Sequence, residues 1–204
     1  MSRPYSKVVI GIDQSYANTG ISVVADGKLR DVKSIQLSKY SSNTERRRAL
    51  YNKLSGLINV VAQKADHIVC ICERARLHGG PNSFINIDAI KALGALTATI
   101  VDCCAEHNIE VYSVDTRCWK SQVVGTSKPQ SNKYGVPPEK WPTIHWLIGL
   151  GFERHILVPI AGKKTKGTFV RNGQRYMYNN DAADSAGIAM FGVLGQQDKL
   201  HRER

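Results

Sequence analysis

KVVIGIDQSYANTGISVVADGKLRDVKSIQL, Lys7 to Leu37, decides the fold. Lys7 to Asp13 is an apolar run that ends in an acid, and QSYANTG after it is turn-like. Asp26-Gly27 separates the next two runs, a strong signal for a two-residue hairpin. The stretch therefore reads as three antiparallel strands in a meander.

The pattern then changes to a helix period. SNTERRRALYNKLSGLINVVAQKA places Leu50, Leu54, Leu57, Ile58 and Val61 on one face, with Ser42, Asn43 or Thr44 to cap it. HIVCICE is a nearly all-apolar strand that ends at Glu73. Ser83 to Glu106 reads as a long central helix, apolar most of the way round, and IEVYSVD as a fifth strand. A short helix is expected near Thr116 to Val124, then a polar stretch rich in Pro and Gly from Gly125 to Pro138, then a helix around Glu139 to Leu150. Ile160 to Asn180 reads as a basic hairpin or flexible excursion, and the last helix runs from about Asp181 to Gly195. A meander followed by strands joined through helices predicts an α/β chain, with one mixed five-stranded sheet covered on both faces. A single domain over residues 1–204, with a basic insertion at about 160–180, accommodates all of it.

Composition narrows the function. The 204 residues carry a formal net charge of +11, with 42% hydrophobic and 22% charged residues, values of a folded globular chain. No apolar stretch approaches a membrane span, and MSRPYSK lacks a signal-peptide core, so a cytoplasmic protein is expected. Five cysteines, Cys70, Cys72, Cys103, Cys104 and Cys118, show no paired CxxC spacing and read as reduced thiols. Arg154 to Gln174 holds Arg154, Lys163, Lys164, Lys166 and Arg171 and no acid. A polyanion, nucleic acid above all, is the natural partner of such a chain.

Against that charge, the acids stand out. NNDAADSAGIAM, Asn179 to Met190, puts two aspartates three positions apart in a run of small and apolar residues. Asn180 or Asp181 can serve as N-cap, which accounts for one acid at the first turn and leaves Asp184 unexplained. Positions i and i+3 lie about 60° apart on a helix, so both acids share a face. Asp13 and Glu73 end two apolar strands, where side chains reach the rim of a sheet. Glu73 beside Arg74 also reads as a plain surface ion pair. Four converging carboxylates need a cation among them, and hard divalent ions take carboxylate oxygens. Two Mg²⁺ ions per site, with Mn²⁺ as a substitute, can activate water and stabilise the leaving oxygen of a phosphodiester.

GIDQSYANTGISVV, IVCICER, the helix after GPNSF, VYSVDTRCWKSQVVGTSK and DAADSAGIAM together resemble the RuvC family of Holliday junction resolvases, within the RNase H-like superfamily. The resemblance runs from about Lys7 to Gly195 in the family's order. It implies an RNase H-like fold, a homodimer, and magnesium-dependent paired incision of four-way DNA junctions. By motif, Asp13, Glu73, Asp181 and Asp184 would be the metal-binding catalytic acids. Lys120 in WKSQVVG and Lys140 in EKWPTIHWL match the family's two basic positions; a solvated lysine is the plain alternative for each. Expected DNA contacts are Arg74, Arg76, Phe84, Lys128, Lys140, Lys163, Lys164 and Lys166. The family has an aromatic shortly after the strand-final Glu; here Arg76 stands there, and Phe84 follows later. That departure, with a long Gly125–Glu139 stretch and the basic segment, suits a phage or viral member. It also leaves open a broader nuclease of flaps, forks and Y-structures. A catalytically silent DNA-binding module is the alternative of another class.

Overall fold

The computed structural model describes residues 3–74, 87–161, 167–195 and 197–203. Strands β1 (Tyr5–Asp13), β2 (Asn18–Ala25) and β3 (Lys28–Gln36) form the expected meander. Its hairpin turns at Asp26 and Gly27, both at positive φ, as a two-residue turn of matching twist demands. Asp26 Oδ1 anchors that turn by accepting from the amides of Ser6 and Lys7 and the Ser6 hydroxyl.

Helix α1 (Asn43–Ala62) starts at a capping box, Ser42 with Glu45, and buries Leu50, Leu54, Ile58 and Val61. Strand β4 (Ala65–Glu73) returns parallel to β1, α2 (Ile87–Ala105) packs beside α1, and β5 (Glu110–Val114) adds parallel to β4. The main sheet has six strands, one more than expected, in the order β3-β2-β1-β4-β5-β9. The sixth, β9 (His201–Arg202), pairs antiparallel with Tyr112 and Ser113 at the β5 edge. Two polar residues carry no alternation that a sequence pattern could register, so this strand exists only through its partner.

After β5, α3 (Thr116–Trp119) is capped by Asp115 and continues into one π-helical turn, Lys120–Val124. Helices α4 (Trp141–Gly149) and α5 (Glu153–Ile156) follow. The segment read as a basic hairpin supplies β7 (Phe169–Arg171) and β8 (Gln174–Tyr178), which with β6 (Leu157–Pro159) just before it form a small second sheet in the order β6-β8-β7. An Asn172-Gly173 turn at positive φ joins its last two strands. Tyr134, Trp141, Phe169 and Tyr178 stack on one another beneath it, with ring centroids 5.0–6.3 Å apart.

Helix α6 (Asn180–Phe191) crosses the main sheet over β1 and β2. Its N-cap is Asn179, one residue before the expected caps, because Asn179 Oδ1 accepts from the Ala182 amide while its Nδ2 donates to Ser34. The helix ends at Phe191, where Gly192 follows, rather than at Gly195. Small residues let it lie close to the strands. A Cβ on Gly20 would sit 1.9 Å from the Asp181 carbonyl oxygen, and one on Gly11 would sit 2.4 Å from that of Ser185. Ser22 and Ser185 share a buried hydroxyl hydrogen bond of 2.6 Å across this seam.

Gly20→Ala is therefore expected to cost about 1–3 kcal/mol or more by overpacking, and to move the start of α6 off the sheet. Thermal denaturation checks the loss; unchanged stability would mean the seam has slack.

Candidate active site

Asp13 closes β1 at the rim of the sheet, and Glu73 closes the adjacent parallel strand β4. Helix α6 begins beside them, so Asp181 in its first turn and Asp184 one turn on face the same rim. Asp184 is 1% exposed and Asp13 8%.

Each acid has its own support. Glu73 accepts from the Thr116 hydroxyl at 2.6 Å on one oxygen and from Trp119 Nε1 at 3.4 Å on the other. Gln14, itself buried, donates to the Glu73 carbonyl oxygen and to Thr97 Oγ1. Asp184 Oδ2 accepts from Lys140 Nζ at 2.6 Å. Lys120 Nζ lies 3.6 Å from Asp184 Oδ1, close enough for an ion pair and too far for a hydrogen bond; it donates instead to the Glu139 carbonyl at 3.4 Å. Asp184 Oδ1 is thus a buried carboxylate oxygen with no hydrogen-bond donor.

The charges act on one another. Burial first, then Asp184 and Glu73, hold the Asp13 carboxyl well above the usual carboxylate range. Burial likewise pushes Asp181 up to about 6, with Asp184 and Glu73 adding and Lys140 opposing. Burial pulls the Lys140 ammonium down, but attraction to Asp184, Asp13 and Glu73 prevails, and its pKa rises. Lys140 is the cation these acids share.

Among the described residues, no three acid, imidazole or thiol groups form a ready-made metal cage. The donor set nevertheless fits a hard divalent ion: four carboxylates that repel one another, one with an orphaned buried oxygen. Lys140, with a side chain 32% exposed, is the more accessible of the two lysines beside Asp184.

Of the remaining expected site residues, Arg74 and Lys128 are described. Arg74 is exposed and meets His201 of β9 at 3.1 Å. Lys128 is exposed on the loop before α4. Arg76, Phe84, Lys163, Lys164 and Lys166 fall outside the described residues. Sequence reading missed Gln14, Thr116 and Trp119 as supports of Glu73. Only the position of Thr116 directly after a strand-ending Asp115 offered a signal.

No family model and no curated protein sequence matches the chain. Solved structures do. RuvC of Thermus thermophilus superimposes with a TM-score of 0.59 at 15% identity, covering 96% of this chain and 99% of that one. The same protein in complex with a Holliday junction substrate gives 0.62 at 14% identity, with the same coverage. The chain has the RuvC fold. The yeast mitochondrial Holliday junction resolvase Ydc2 also aligns, at 14% identity over 93% of this chain and 78% of that one, with a TM-score of 0.49. Within the RuvC fold, an RNase H-like arrangement, the main sheet and α6 set the places of all four acids. Among the described residues, no helix is long and apolar enough to cross a membrane.

A carboxylate whose pKa is raised on folding stabilises the fold below its unfolded value, near 4, and that contribution is lost as pH rises through the folded value. In chelator, Asp181→Asn should therefore gain stability relative to the unaltered protein as pH rises from about 4 to about 8, mostly up to and around pH 6. A penalty on the order of 1 kcal/mol moves Tm by about 2–4 °C in a chain of this size. Differential scanning calorimetry tests it; a Tm difference flat across that range would mean that charge on Asp181 carries no strain.

Proposed function

We propose that this chain is a magnesium-dependent, structure-specific endodeoxyribonuclease that resolves four-way DNA junctions by paired strand incision as a homodimer. One observation carries the reading: four carboxylates and two lysines gather at one sheet rim of a RuvC fold in a chain of net charge +11. The related fold in Thermus thermophilus RuvC has been seen with a Holliday junction substrate, which supports branched DNA as the ligand class.

Asp13, Glu73, Asp181 and Asp184 would hold the metal. When bound, Mg²⁺ supplies positive charge to the scissile phosphate and to the leaving oxygen. The chain's own groups do the rest. Thr116 and Trp119 fix the two oxygens of Glu73, so that acid enters the site in one orientation. Lys120, 7% exposed, sits inside the π turn and balances Asp184 from the buried side. Lys140 reaches Asp184 from the open side and is placed to move to a phosphate oxygen when DNA enters. Hydrolysis then adds water to phosphorus, breaks the bridging P–O bond and leaves a hydroxyl and a phosphate end.

Asp13→Asn, Glu73→Gln, Asp181→Asn and Asp184→Asn should each abolish cleavage of a labelled synthetic junction in Mg²⁺, with junction binding kept or tightened. Each change removes a metal ligand and also removes negative charge that faces DNA. Gel-shift and cleavage assays run side by side decide it; binding lost in step with cleavage would make these acids structural. Flap and fork substrates in the same assay separate a resolvase from a broader branched-DNA nuclease.

A four-way junction has two-fold symmetry, and paired incision needs two sites, so a C2 dimer is expected. We place its interface on the long helix α2, which leaves Ile87 61% exposed at its start. Light scattering at micromolar concentration, with and without junction DNA, should give the dimer mass. A monomer under both conditions would count against paired incision.

A further inference from the structure

The cavity that opens beside the acids reaches a feature the chemistry does not use. It measures about 630 Å³ and is lined by Asp13, Asp181 and Lys140, and also by Tyr16 and Asn43. Tyr16 is 38% exposed, unlike the aromatic residues that pack on one another beneath the small sheet. The Arg46 guanidinium lies 4.1 Å from its ring centroid. Arg46 is itself tied down, its Nε donating to the Tyr40 carbonyl at 3.1 Å.

The loop that displays Tyr16 has little freedom. Ala17's carbonyl accepts from the amides of both Leu37 and Ser38 at 2.8 Å, and the Thr19 hydroxyl donates to the Ser15 carbonyl at 3.2 Å. An aromatic ring three residues past Asp13 is therefore held at the cavity by a pinned loop, with a fixed cation on one face. Core packing does not account for a ring left this exposed. A π surface with a positive charge beside it matches a nucleotide, base and phosphate together.

We propose that Tyr16, backed by Arg46, is a nucleobase-stacking platform that takes an unpaired or end-exposed base next to the scissile phosphate. This rests on the branched-DNA reading and adds to it a source of selectivity. Bases within a linear duplex have both faces covered by their neighbours. At a branch point the stack is interrupted, and a base face is open to the ring. Every base offers such a face, so the platform selects structure rather than sequence.

Binding of a four-way junction and of a linear duplex, measured in chelator across a salt series, tests the platform. Tyr16→Leu keeps apolar bulk and loses the ring, and it should weaken junction binding by about 5- to 150-fold, the range for one stacked base. Duplex binding should stay within about twofold, and the salt slope should not change. Tyr16→Phe should bind the junction within about threefold of the unaltered protein. Arg46→Gln should weaken junction binding and lower the salt slope by up to about 0.9. Junction binding by Tyr16→Leu at full strength would overturn the platform, and so would equal losses on junction and duplex. A Tyr16→Leu protein that unfolds would show the ring to be structural and would overturn it as well. Failure of the unaltered protein to prefer junction over duplex would overturn the branched-DNA reading itself.

Discussion

Everything at the site depends on how closely α6 approaches β1 and β2. Gly11 and Gly20 have no Cβ where the helix backbone passes, and the helix presents Ala182, Ser185 and Ala189 rather than large side chains. The seam is closed by backbone contact and one buried hydroxyl pair, Ser22 with Ser185. A layer of Leu or Ile between helix and sheet would hold the α6 backbone away from β1 and β2, and Asp181 and Asp184 away from Asp13. Close packing here determines charge density, and charge density determines chemistry. On the far side, Gly187 leaves room for the Trp119 ring, which in turn donates to Glu73. The same helix thus carries two of the acids and supports a third, Glu73, through an indole.

Such crowding has an electrostatic cost that the chain meets in two ways. Burial and the neighbouring carboxylates raise the pKa values of Asp13 and Asp181, so the crowding disfavours their charged forms. Lys140 and Lys120 flank Asp184, one from the open side and one from the buried side. A buried carboxylate beside two ammonium groups is tolerable without metal; four bare carboxylates are not. The ammonium of Lys140 is thus a counter-ion for the resting fold.

The segment after β5 builds the outer wall of the site. Its π turn buries Lys120, a departure from α-helical register of the kind found at functional positions. Helix α4 follows Lys140 directly, and its Trp141 joins the aromatic stack that holds the small β6-β8-β7 sheet. Lys140 is therefore anchored at the edge of a hydrophobic cluster, which fixes where its long side chain can reach.

Much of this was written in the chain. Alternation and the Asp26-Gly27 turn determined the meander, apolar runs ending in Asp13 and Glu73 determined the two central strands, and the helix period determined Asp181 and Asp184 as neighbours on one face. These are local properties, and local geometry follows from residue type and spacing. Other features exist only through distant partners. Strand β9 is two polar residues that become a strand because the β5 edge has unpaired backbone groups. Asn179 rather than Asn180 caps α6 because Ser34, 145 positions away, takes its amide. Gln14, Thr116 and Trp119 look ordinary in sequence, and they become supports of Glu73 only when α3 and α2 close around β4. Tertiary structure alone decided which lysines meet the acids, since an ion pair between Lys140 and Asp184 spans 44 positions and depends on a seam that only glycine permits.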